Sequence, residues 1–151
     1  MKNVHWLIGV LALAFVANSA PAFAQQPAAA GRIKVSSGSA FVVRGGMQMP
    51  ARAGDAIFES DVLRTGADGR LGVTLKDDTR VSLGPASEVH VDKFVYAPSE
   101  GNLALALKVV RGVAAYVSGR IAKLSPDAVR LETPAAIVGV RGTTLAIKAD
   151  E

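Results

Sequence analysis

Between Arg70 and Leu83 the chain alternates with a period of two, and one short interruption splits the alternation in half. Arg70-Leu71-Gly72-Val73-Thr74-Leu75-Lys76 alternates polar or small residues with apolar ones, Asp77-Asp78 breaks the pattern, and Thr79-Arg80-Val81-Ser82-Leu83 resumes it. Successive side chains of a strand point to opposite faces, so this spacing fits two half-buried strands rather than a 3.6-residue helix. Two such runs joined by a short polar turn read as a hairpin. Leu71, Val73, Leu75, Val81 and Leu83 are therefore expected to face one core. Arg70, Thr74, Lys76, Arg80 and Ser82 are expected to face water.

The same signal recurs in Glu88-Val89-His90-Val91-Asp92, in Val113–Ser118, in Val129–Thr133 and in Thr143–Lys148. Leu103 to Val109 alternates large and small apolar residues, as a strand buried on both faces can. Leucine and alanine also favour helix, but Gly101-Asn102 and Arg111-Gly112 bound the run and favour a short strand. Gly45-Gly46, Gly66-Ala67-Asp68-Gly69, Gly84-Pro85 and Ser125-Pro126-Asp127 read as turns. Arg120 to Leu124 has room for one helical turn. Short strands at close spacing, with no long amphipathic helix, predict an all-β fold: a single antiparallel β-sandwich or β-roll of many short strands.

The N-terminus has a different character. Lys2 precedes an apolar run from Trp6 to Ala17, and Ala22-Phe23-Ala24 places small residues where a signal peptidase reads them. This is the pattern of a secretory signal peptide, and the run is short of the ~20 apolar residues that span a bilayer. The expected division is a signal peptide over residues 1–24, a disordered leader over 25–31 and one β domain over 32–151, with the product periplasmic. The absence of cysteine excludes disulfides, thiolate metal sites and a lipid anchor on a cleavage-site cysteine.

Cleavage would lower the formal charge of +4 by one, through loss of Lys2, and would remove the single tryptophan. Charges are dispersed along the sequence with no basic run, so nucleic acid is not an expected partner. His90 is the one histidine beyond the signal segment, and it alternates with Val89 and Val91 beside Glu88 and Asp92. That places it on a polar strand face without an orienting partner elsewhere in the pattern. No serine stands in a G-x-S-x-G elbow. Asp55, Glu59, Asp61 and Asp68 are close in sequence but fit no calcium loop, and turn chemistry explains them. No enzyme activity, cofactor or metal is expected.

Val138-Gly139-Val140-Arg141-Gly142-Thr143-Thr144 sets two glycines around an arginine. A phosphate loop needs G-x-x-x-x-G-K-[ST], and here the glycines are three apart with threonine following. The stretch reads instead as a turn or bulge between two strands, with Gly139 and Gly142 placed where a side chain would clash. Gly142→Val is expected to cost roughly 1–3 kcal/mol. Arg64, Arg70, Arg80, Arg130 and Arg141 flank or alternate with apolar strand residues. Arginine suits bidentate carboxylate recognition, so some are candidates for an anionic contact face. The alternative is cross-strand pairing with Asp61, Glu88 or Glu132. Arg130, Gly139, Arg141, Gly142 and Thr143 are the candidate interaction residues.

Several of these pieces together resemble the FecR domain family. They are Gly54-Asp55; Asp61-Val62-Leu63-Arg64-Thr65-Gly66; the run from Gly69 through Asp77-Asp78-Thr79 to Gly84-Pro85-Ala86-Ser87; Val110-Arg111-Gly112; Leu131-Glu132-Thr133-Pro134; and Val138 to Thr143. The resemblance covers roughly residues 55–149 and departs at Asp78, where the family usually has glycine. It implies an exported β-rich domain that binds or senses. The namesake regulators sit in the inner membrane and relay a signal from an outer-membrane iron-siderophore receptor to a cytoplasmic sigma factor. This sequence shows neither a cytoplasmic N-terminal domain nor a transmembrane helix, so the domain is expected to carry over and the pathway is not. The expected partner is an envelope protein. The alternative is a small ligand or envelope polymer bound on an arginine-rich sheet face.

Overall fold

The structure is a computed structural model that describes residues 21–22, 25–140 and 144–150. The expected signal peptide therefore falls almost wholly outside the described residues, as do Arg141, Gly142 and Thr143. Among the described residues twelve strands form one sheet that curls on itself around a single core. The strands are β1 (Gly31–Ser37), β2 (Ala40–Arg44), β3 (Met47–Pro50), β4 (Ala56–Ile57), β5 (Val62–Thr65) and β6 (Arg70–Leu75). They continue as β7 (Arg80–Leu83), β8 (Glu88–Ala97), β9 (Asn102–Val117), β10 (Val129–Glu132), β11 (Ile137–Gly139) and β12 (Thr144–Ala149). One five-residue helix, α1 (Arg120–Leu124), lies between β9 and β10.

The alternation that opened the sequence holds. β6 and β7 pair in antiparallel register, Leu71 opposite Leu83 and Val73 opposite Val81, and all five expected core residues are buried. Gly45 and Gly46 turn the β2–β3 hairpin with positive φ at both positions, as a tight two-residue hairpin turn requires. β1 begins at Gly31, one residue ahead of the expected start. Ala30 is already buried, with its amide donating to the Ile57 carbonyl.

The main surprise is β9. Two short strands separated by Arg111-Gly112 were expected, and one strand of 16 residues runs through both. Its N-terminal part pairs with β8 and its C-terminal part with β7. β7 and β8 thus follow one another along β9, and together they form one long hairpin bent in the middle. The bend divides the sheet into two layers. The first layer runs β3-β2-β5-β8 to the N-terminal part of β9, then β10 and β11. The second runs β4-β1-β6-β7 to the C-terminal part of β9, then β12. Leu63, Val89, Val91, Leu105 and Leu107 from the first layer meet Ile33, Leu71, Val73, Leu83 and Tyr116 from the second in one core. A fully buried aliphatic side chain of this kind contributes ~1.5–3 kcal/mol.

The remaining pairs are antiparallel as expected, with one exception. β10 runs parallel to β9, Val129 opposite Leu105 and Leu131 opposite Leu107. A parallel neighbour needs a crossover connection, and residues 118–128, with α1 inside them, supply it. Among the described residues no helix is long and apolar enough to cross a membrane.

Candidate functional site

The residues that drew attention as motifs meet at the bend. Gly112 takes φ +80, and a Cβ there would collide with Ser87, standing 2.6 Å from its Cα. Only glycine lets β9 pass this close to the β7–β8 junction. Ser87 is fully buried, and its Oγ accepts from the Val113 amide at 2.9 Å. Thr65, also buried, donates from Oγ1 to the Gly84 carbonyl at 2.7 Å and accepts from the Ser87 amide at 2.9 Å. The Ala86 amide donates to the Gly66 carbonyl. Every polar atom named here has a partner, so this cluster is a clasp that holds the bend.

A second clasp explains the aspartates of the β6–β7 turn. Asp77 is completely buried. Its carboxylate accepts from the Thr79 amide at 3.1 Å, the Thr79 hydroxyl at 2.7 Å and the Ile121 amide at 3.2 Å. Its carbonyl accepts from the Arg120 amide. The turn therefore anchors the first turn of α1. Asp78 sits at φ +67. Glycine is at home in that region, and aspartate is among the few other residues that enter it.

Charged side chains form two further groups. Asp61, 1% exposed, takes a bidentate bond from Arg44 at 2.8 and 2.7 Å and accepts the Phe58 amide at 2.8 Å, with the Arg44 guanidinium over the Phe58 ring. On the outer face of the first layer, Glu88 gathers Arg64 at 3.1 Å, His90 at 2.8 Å and Arg111 at 3.8 Å. Burial would push the Glu88 carboxyl up, but the bond to His90 and the charge and bond of Arg64 outweigh it and hold the group below its ordinary value. His90 does lie on the polar face, as its position in the alternation required, and it has a partner two residues away.

Of the candidate interaction residues, Arg130 and Gly139 are brought together, opposite each other across β10 and β11. They border a groove of about 350 Å³ floored by Val129 and Val140. Arg130 is exposed and lies 3.6 Å from Glu132. The steric reason expected for Gly139 fails: it sits inside a strand without positive φ, and a Cβ would meet no atom within 4 Å. Arg141, Gly142 and Thr143 lie outside the described residues. Cross-strand pairing accounts for Arg64, opposite Glu88 on β8, whereas Arg130 meets Glu132 along its own strand and Arg70 and Arg80 stand on the second layer with no carboxylate partner among the described residues. The four neighbouring acids do not converge. Asp61 binds Arg44, while Asp55, Glu59 and Asp68 accept the amides of Arg52, Phe94 and Ser39.

Sequence reasoning missed the Arg44–Asp61–Phe58 group and the buried Thr65–Ser87 bond. The register between β2 and β5 and the bend in β9 create both, and neither has a local spacing signal.

Each layer has two edge strands, β3 and β11 in the first and β4 and β12 in the second, and at six residues β12 is the longest of them among the described residues. Among the described residues β11 pairs only with β10, and β12 only with β9. Along β12, Leu145 and Ile147 face the core but are only half-buried, and Thr144, Ala146 and Lys148 are exposed.

A protein-family model described as FecR protein matches residues 61–151. No curated protein and no solved structure matches the chain.

Proposed function

Because the chain belongs to the FecR protein family, we propose that it is an exported, non-enzymatic interaction and sensing module of the bacterial cell envelope. One observation carries this reading: β12, a six-residue strand next to the family's glycine-rich stretch, leaves one edge unpaired among the described residues. An open strand edge presents amide and carbonyl groups that an extended segment of another protein can pair with. The half-buried Leu145 and Ile147 give such a segment apolar surface to cover.

The N-terminal pattern of Lys2, the apolar run and Ala22-Phe23-Ala24 supports export. The roles of the polar groups support the non-enzymatic part of the reading. Thr65, Asp77 and Ser87 are engaged in holding the bend and α1, and His90 is bound to Glu88. Family membership supports a sensing role, and a link to iron uptake rests on the resemblance alone.

Photo-crosslinking in intact cells tests the reading. A crosslinking side chain at Lys148, on β12, is expected to capture one envelope protein, while the same group at Met47, on the far hairpin, captures none. Equal capture from both positions, or recovery of the uncoupled chain alone under iron-replete and iron-starved growth, would refute it.

A further inference from the structure

Charges that are scattered along the sequence are segregated in the folded chain. The strands of the second layer carry Arg32, Lys34, Arg70, Arg80 and Lys148, and no aspartate or glutamate. The acidic strand residues Glu88, Asp92 and Glu132 all belong to the first layer. Lys148 reaches Asp150 at 3.1 Å and Arg32 donates to the Gly54 carbonyl, but Arg70 and Arg80 have no carboxylate partner among the described residues.

Arg70 lines a groove on this face, and strand register puts Arg32, Arg80 and Lys148 in the rows on either side of it. Strand register aligns Val35, Gly72, Ser82, Ala115 and Ala146 in one row across the outer face. The row beside it holds Arg32, Thr74, Arg80, Val117 and Thr144, and on the other side stand Arg70, Val113 and Lys148. The central row is low because its side chains are small. The resulting groove of about 460 Å³ is mostly apolar, and Val35 and Val113 are exposed at 57% and 44%. The bordering rows are four residues apart along each strand, or ~14 Å, and five strands span ~19 Å. A helix is ~10–12 Å across and needs about 13 residues to cover that length.

We propose that the outer face of the second layer is a docking groove for an acidic amphipathic helix of a partner protein, laid across the strands with its apolar side on Val35, Ala115 and Val113 and its carboxylates on Arg70 and Arg80. Charge complementarity selects this occupant, because both borders carry cations and the strands that form them hold no acid, with Asp150 only at the Lys148 end. Val35 and Ala115 lie in the row between the arginines and Val113 in the border beside Arg70, so a helix laid across the strands meets apolar and cationic atoms side by side. The groove uses the outer face of β12 and the pairing uses its edge backbone, so Arg70→Glu/Arg80→Glu separates them: it should weaken helix docking and leave crosslinking from Lys148 in place.

The probe is a fluorescent peptide of about 13 residues with a leucine seam flanked on both sides by glutamate, titrated with the chain from residue 25 onward and read by anisotropy. Binding is expected to weaken as salt screens the exposed charges. Arg70→Glu/Arg80→Glu should weaken it by about tenfold or more, the scale of one or more lost charge-assisted contacts. Arg130→Glu, on the other layer, should leave it unchanged. If the double reversal does not fold, Arg70→Gln and Arg80→Gln are each expected to weaken binding severalfold at unchanged melting temperature. The proposal is overturned if a lysine-for-glutamate peptide binds equally well, if the Arg70 and Arg80 variants bind like the parent, or if only phosphatidylglycerol vesicles bind.

Discussion

At the scale of single residues, backbone conformation decides the strongest effects. Gly112 has φ +80 and no space for a Cβ beside Ser87. Gly112→Val is expected to destabilise the fold by about 3 kcal/mol or more, measured by urea unfolding, because it combines backbone strain with a collision in the clasp. Asp78 holds the same kind of backbone without the collision. Asp78→Gly should raise stability by up to about 1 kcal/mol, since relief of the left-handed conformation exceeds the loss of its exposed ion pair with Arg120. Asp78→Val should lower it. Glu88 adds a pH dependence. Its folded-state pKa lies below the unfolded value, so its stabilisation is present above the unfolded pKa and is lost as pH falls through the folded one. Melting temperature should therefore fall less steeply from pH 6 to pH 3 in Glu88→Gln than in the parent.

At the scale of elements, the sequence was most legible where one face is buried and one is wet. The β6–β7 hairpin announced itself because Leu71, Val73, Leu75, Val81 and Leu83 all serve one core. The continuity of β9 was hidden because Gly112 reads locally as a strand terminator, and its role as a bend depends on Ser87, which is distant in sequence. The parallel pairing of β10 was hidden for a related reason: Val129 to Glu132 alternates in the same way whichever direction its neighbour runs. The single helical turn over Arg120–Leu124 was legible, but its anchor was not. Asp77→Ala should cost about 1–3 kcal/mol by leaving the Thr79 and Ile121 amides unpaired. Hydrogen exchange should then show residues 120–124 opening first.

At the scale of the whole molecule, the motif residues and the contact surfaces separate. Thr65, Asp77, Ser87 and Gly112 build the frame that curls one sheet into two layers. Part of the family resemblance, the stretches around Thr65, Asp77, Ser87 and Gly112, lies in that frame and could be read from the sequence, while the contact surfaces could not. A surface depends on which strands become neighbours: Arg70 and Arg80 share a face with Lys148 through β9, and Arg64 and Arg130 fall on the opposite layer. In the proposed role the frame displays the edge of β12 for pairing with another protein. Hydrogen exchange of the peptide spanning residues 144–150, compared between the free chain and the complex crosslinked at Lys148, tests it most directly. Marked slowing along β12 with β3 and β4 unchanged is expected, as new backbone hydrogen bonds form on that edge. Unchanged exchange along β12 in the complex would contradict it.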